Sequence, residues 1–200
     1  MGIYSIKPKF QKRLEPLQNW LARRKINPTI INIFGFVSSL IAGLILYISF
    51  INTWFLFAIP PLVLLRIVAN ALDGLVSRKL GMASPFGEVM NEFFDRLSDV
   101  VIFLGLAFAP FCHLGLGVIT IITILLSSYL GILSKASGGS RQYIGFMGKA
   151  DRMLYLGFTS ICVIFTHNLG LWNYFLGFIL GGTLITVLQR FVKIRRELDA

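Results

Sequence analysis

Thirty residues, Asn70 to Asp99, hold five of the chain's nine carboxylates: Asp73, Glu88, Glu92, Asp95 and Asp99. Interleaved with them are Asn70, Asn91, Ser77, Arg78, Gly74 and Gly87. Helical spacing places Asn70, Asp73 and Ser77 within about 60° of one another, and Glu88, Asn91, Glu92, Asp95 and Asp99 within an arc of about 100°. Two oxygen-rich faces therefore confront each other across an antiparallel helix pair. Carboxylates and amide carbonyls are hard ligands, suited to Mg²⁺, Mn²⁺ or Ca²⁺ rather than to metals that prefer sulfur or imidazole. Gly74 and Gly87 lie a turn or less from the acids, where a missing side chain lets a ligand reach the backbone. Arg78 ends the first helix of the pair and is placed to meet a phosphate or neutralise an acid. A hard metal beside a phosphate is the signature of phosphoryl chemistry.

The elements that must carry these residues are membrane helices. The 200-residue chain is 56% hydrophobic and only 14% charged, beyond the range of ordinary soluble domains. A span needs about 20 mostly apolar residues, and six such runs are present: 29–51, 54–77, 86–110, 114–134, 152–168 and 171–192. The expected fold is an all-α integral membrane protein with six transmembrane helices and little room for a soluble domain. An acid inside a span costs on the order of 3 kcal/mol unless paired, hydrated or metal-bound. The cluster is therefore a functional candidate, although surface acids paired with Arg66, Arg78, Lys79 and Arg96 at span ends are the plainer alternative.

The net charge of +10 is distributed in a way that argues for topology and against nucleic acid. Seven basic residues from Lys7 to Lys25 precede the first run, Arg78 and Lys79 follow the second, and Lys135, Arg141, Lys149 and Arg152 lie between the fourth and fifth. Arg190, Lys193, Arg195 and Arg196 follow the sixth, whereas the connections near Asn52, His113 and Asn168 carry none. Both termini are thus expected in the cytoplasm. Residues 1–28 read as a basic amphipathic helix in the headgroup layer, in contact with membrane lipids, and residues 29–196 as the membrane domain. Asn27 and Pro28 form a helix start, Gly35 and Gly43 allow close helix packing, and Pro60-Pro61 should kink or break the second run. The glycines between 138 and 148 suggest a flexible loop. Cys112 and Cys162, with no CxxC spacing, read as packing residues.

The sequence Asp73-Gly74-x-x-Ser77-Arg78, eight residues, then Gly87-x-x-x-Asn91-x-x-x-Asp95 resembles the signature of the CDP-alcohol phosphatidyltransferase family, DxxDGxxAR followed after about eight residues by GxxxDxxxD. The likeness extends over the chain, from the basic N-terminal helix through the Asn-Pro start to six spans. It implies a membrane enzyme of phospholipid synthesis that moves a substituted phosphate, phosphatidyl above all, from a CDP-linked lipid such as CDP-diacylglycerol to an alcohol acceptor, releasing CMP. It also implies a divalent metal, Mg²⁺ or Mn²⁺, a homodimer, and a site on the cytoplasmic face of a prokaryotic cytoplasmic (inner) membrane. By position, Asp73 would ligate the metal, Asn70 and Asn91 would be neutral carbonyl ligands, and Asp95 would be both ligand and base. Gly74, Ser77, Arg78 and Gly87 would line the CDP site.

Two family aspartates are Asn70 and Asn91 here, which removes two negative charges from the metal site and should weaken it. Either Glu92 and Asp99, on the same arc, restore that charge as further metal ligands, or the protein is a catalytically silent CDP-lipid binder or scaffold of the same fold. Lys135, Arg141, Lys149 and Arg152 serve equally well as substrate-binding residues or as topology signals. The acceptor alcohol is not identified by these residues.

Overall fold

The computed structural model describes residues 7–199, with side chains from Phe10 onward; Ile3 and Tyr4 of the expected amphipathic segment lie outside the described residues. The chain is all-α. Its helices are α1 (Lys7–Arg23), α2 (Pro28–Ile48), α3 (Ile59–Lys79), α4 (Pro85–Ala107), α5 (Leu114–Ala136), α6 (Lys149–Thr166) and α7 (Leu171–Leu198), with a 3₁₀ turn, Thr53–Ala58, before α3.

Local chemistry sets the boundaries near the acidic stretch. Asn27 caps α2, its side chain accepting from the Thr29 amide at 2.9 Å, and Pro28 opens the helix. Pro60-Pro61 mark a local break in the second apolar run and do not kink a helix. The 3₁₀ turn ends at Ala58 and the prolines fill the first turn of α3, where no intrahelical amide is needed. Between α3 and α4, Gly81 takes the left-handed conformation at φ 66°, and Ser84 Oγ accepts from the Gly87 amide at 3.1 Å to cap α4.

Among the described residues, four segments are long and apolar enough to cross a membrane: Pro28–Ile48, Thr53–Lys79, Leu114–Ala136 and Leu171–Leu198. The other two expected spans fall short through charge rather than length. Helix α4 carries Glu88, Glu92, Asp95, Arg96 and Asp99, and α6 carries Lys149, Asp151 and Arg152. The helices that weaken the hydropathy signal are those that bear the polar cluster.

Helix α2 packs on α3 and α4, α5 on α4 and α7, and α6 on α3 and the 3₁₀ turn. Leu46, Ile59, Phe103, Leu106, Leu156 and Trp172 belong to one fully buried core. A smaller cluster of Ile31, Ala69, Leu72 and Val76 receives Leu14 and Leu21. Through these contacts α1 docks beside the acidic end of α3, and Gln18 Nε2 donates to the Leu75 carbonyl at 3.0 Å.

The α2–α4 contact is backbone against backbone. A Cβ on Gly43 would lie 2.5 Å from the Val101 carbonyl oxygen, and one on Gly105 would collide with the carbonyl of Gly43. Gly43→Val is therefore expected to cost about 1–3 kcal/mol or more, read as a lowered thermal unfolding midpoint in lipid. An unchanged midpoint would mean that the helices separate at no cost.

The glycine-containing loop, residues 137–148, differs from the flexible segment that its composition suggests. Its backbone is tied to α7: the Ser140 amide donates to Glu197 Oε1 at 2.6 Å, the Phe146 amide to Gln189 Oε1 at 2.9 Å and the Met147 amide to Thr186 Oγ1 at 2.8 Å. Arg190 Nε donates to the Ile144 carbonyl at 2.9 Å. Gly145, at φ 145°, shows why glycine is required: a Cβ there would collide with Thr186. Absence of a side chain here permits close approach rather than mobility.

Candidate active site

Helices α3 and α4 run antiparallel from a short turn and bring Asn70, Asn91 and Asp95 together. Asn70 Nδ2 donates to Asp95 Oδ1 at 2.6 Å and to Asn91 Oδ1 at 3.4 Å. Asp73, one turn along α3, is buried near Asn32 of α2 and accepts from the Gly74 amide at 2.6 Å. Between α2, α3 and α4 lies a cavity of about 10 Å³, lined by Asn32, Arg66, Asn70, Asp95 and Ser98 among others, room for about one water.

Each acid of α4 has a basic partner. Glu88 pairs with Lys135 at 2.7 Å and lies 3.9 Å from Arg141. Glu92 pairs with Arg141 and is 3.8 Å from Arg96. Asp95 pairs through Oδ1 with Lys149, while Oδ2 is 3.6 Å from Arg96. Asp99 is 1% exposed and is clamped by two arginines, Arg66 at 2.5 Å on one oxygen and Arg152 at 2.8 Å on the other.

These pairings revise several expectations. Asn70, Asp73, Asn91 and Asp95 gather as their spacing requires, but Glu92 and Asp99 do not add charge to them, because Arg141 and the Arg66–Arg152 pair take up their oxygens. Arg152, expected at a ligand, is itself buried and spent on Asp99 and on the Met147 carbonyl. Lys135 and Arg141 come from the α5 end and the following loop and stand over the first turns of α4. Gly87 is exposed on the first turn of α4 and Ser77 is half-buried on α3. A Cβ on Gly74 would sit 3.4 Å from Arg78 Nη1, so this glycine faces the arginine. Arg78 is exposed and has no ion-pair partner among the described residues.

Arg66 and Asn32 belong to the site and were not singled out by spacing. Arg66 carried a legible signal, since it is the one basic residue inside the apolar run 54–77, where such a residue marks a function or a buried partner. Asn32, an uncharged amide in a hydrophobic helix, carried none.

The side chains as arranged do not fit a divalent cation. Among the described residues no three of His, Cys, Asp or Glu converge as a metal-binding group. A carboxylate only accepts hydrogen bonds, so Asn70 must turn its amide hydrogens, not its carbonyl oxygen, toward Asp95. What the arrangement does offer is a carboxylate held by an amide and two cations, with the exposed Arg78 two turns along α3 from Asn70.

A family model described as CDP-alcohol phosphatidyltransferase matches residues 26–179. The inner membrane protein YnbA of Escherichia coli (strain K12) is 31% identical over 173 residues, 86% of either chain. The archaetidylinositol phosphate synthase of Pyrococcus horikoshii is 28% identical over 156 residues, 78% of this chain and 80% of that protein. Among solved structures, the phosphatidylinositol phosphate synthase of Mycobacterium tuberculosis with CDP-DAG bound superposes with a TM-score of 0.73 at 24% identity, over 90% of this chain and 92% of that one. The same enzyme in complex with manganese and citrate matches at the same TM-score. The motif, its placement on two facing helices and these likenesses agree: this chain is a membrane protein of the CDP-alcohol phosphatidyltransferase family, whose members transfer substituted phosphate groups in phospholipid synthesis.

Proposed function

We propose that the protein transfers a phosphatidyl group from CDP-diacylglycerol to the hydroxyl of an alcohol and releases CMP, at the site between α3, α4 and the start of α6. The observation that carries this reading is the hydrogen-bonded meeting of Asn70 on α3 with Asn91 and Asp95 on α4, with Asp73 one turn along α3 and the unpaired Arg78 beyond it. That the M. tuberculosis enzyme binds CDP-DAG supports the choice of a CDP-lipid donor.

In the step itself the acceptor oxygen attacks the phosphorus that carries the diacylglycerol. A new P–O bond forms, the anhydride P–O bond breaks, and CMP leaves with the electron pair. The hydroxyl proton passes to the Asp95 carboxylate, which Asn70 orients. Arg78 meets the diphosphate, Gly74 and Gly87 let it lie close to the backbone, and Ser77 offers a hydroxyl. Lys135 and Arg141 suit an anionic acceptor; because the Pyrococcus relative is named for making archaetidylinositol phosphate, an inositol phosphate is the first acceptor to try.

The reading extends to topology. Six spans, α2 to α7 with the 3₁₀ turn joined to α3, form the domain of residues 29–196, and α1 lies along the headgroups of a prokaryotic cytoplasmic membrane. Both termini and the site face the cytoplasm. Support comes from the basic residues, which cluster at one set of helix ends, and from the E. coli relative, an inner membrane protein by name.

CMP release from CDP-diacylglycerol by purified protein in lipid, with a pool of candidate alcohols including inositol phosphate, tests the reaction. Acceptor-dependent CMP release is expected. Binding of CDP-lipid without release for any acceptor would instead identify a silent binder, a reading favoured by Asn70 and Asn91.

A further inference from the structure

The disagreement between this site and a divalent metal has a specific local cause. Asp73 and Asp95 supply two negative charges, and the Lys149 ammonium is ion-paired with Asp95 and acts electrostatically on Asp73 as well. With Arg96 also 3.6 Å from Asp95, the two acids are offset by two cations, whereas cation affinity in oxygen cages rises with the number of anionic ligands. Asn70 adds no charge and presents its amide hydrogens to Asp95. The nearby acids that could raise the count, Glu92 and Asp99, are held by Arg141, Arg66 and Arg152.

Lys149 is not a passing surface lysine. It opens α6, whose first turn is anchored on three sides. The Gly148 amide donates to Asp151 Oδ2 at 2.8 Å, the Met147 amide to Thr186 on α7, and Arg152, one turn on, to Asp99 on α4. Side-chain exposure is 22% for Lys149 and 14% for Asp95, so the pair is mostly withdrawn from water yet open on one side. An ammonium carries three donors and no acceptor. One is directed at the Asp95 carboxylate, which leaves donors for a phosphate oxygen.

We infer that the site carries its own cation: Lys149 Nζ, ion-paired with the α4 carboxylate Asp95, takes the place of a divalent metal. The part played at the donor's diphosphate, by Lys149 together with Arg78, rests on the transferase reading above; the occupancy of the site by Lys149 does not. Asn70 and Asn91 then follow as matched changes, since one resident positive charge needs fewer negative charges around it than a doubly charged ion.

Mn²⁺ binding, followed by loss of the free-ion signal in electron paramagnetic resonance, decides this for the full chain in zwitterionic lipid after chelator dialysis. Wild-type protein is expected to leave about 100 µM Mn²⁺ free, while Asn70→Asp/Asn91→Asp/Lys149→Met, with the charge of a metal cage restored, takes up ion at that micromolar level. Uptake of about one equivalent by wild type, lost in Asp95→Asn, would overturn the inference, and this result needs no variant to be active. CMP release is expected to persist in excess chelator; release that stops there and returns with Mn²⁺ would also overturn it. No release with or without metal would sink the transferase reading while the resonance measurement still judges Lys149.

Discussion

Asp95→Asn is expected to lower CMP release by about 10²–10⁴-fold, the range contributed by a positioned acid–base group, with little change in the thermal midpoint. Asp95 accepts from Asn70 at 2.6 Å and pairs with Lys149 and Arg96, so its carboxylate is held in a fixed orientation and is not a surface acid. The amide keeps the shape and much of the hydrogen bonding but cannot take a proton. Because Lys149 and Arg96 are each more than a fifth exposed, water can solvate them when the carboxylate is lost, which is why folding should survive. A loss of activity that tracked a loss of folded protein would reassign Asp95 to structure. Equal activity of Asp95→Asn and wild type would remove it from the chemistry.

The second large effect falls on stability. Asp99→Leu should destabilise the protein by about 3–5 kcal/mol, the cost of leaving a buried charge without its partner. Here two charges lose the same partner. Arg66 and Arg152 are both 3% exposed at the side chain, and with Asp99 gone they would face each other across α3 and α6 as like charges. Replacing all three together, Arg66→Met with Asp99→Leu and Arg152→Met, is expected to recover much of the loss, because buried ion networks often give little net stability over well-packed apolar groups. Thermal unfolding of the single and triple variants in lipid measures both. A triple variant no better than the single one would show that Arg66 matters mainly through another contact, its Nη2 donating to the Asp95 carbonyl at 3.2 Å.

The helix faces were readable from the chain because 100° spacing is a local property: Asn70 with Asp73, and Asn91 with Asp95, needed only their own helices. What stands opposite them was not. The partner of Glu92 is 49 residues away and that of Asp99 on α6 is 53 away, and no local period encodes such a pairing. Counting acids therefore overstated the charge available for a metal. The prolines at 60 and 61 marked a break correctly, but whether they kink a helix or begin one depends on the 3₁₀ turn before them. The loop glycines were ambiguous for a similar reason, since freedom and close approach ask for the same residue.

The contact of Gly43 with Gly105 has a mechanical consequence. No rotamer can adjust a contact made of two backbones, so the spacing of α2 and α4 at this point is set by the main chain itself. Asn32 precedes Gly43 by eleven residues and Asp95 precedes Gly105 by ten, which puts the crossing about 15 Å from the polar side chains along either axis. On its other side α2 continues only to Ile48 and α4 only to Ala107. The close contact thus sits at one end of a helix pair whose longer segments carry the chemistry, and Phe36 against Phe94 at 5.7 Å continues the packing toward the polar side chains.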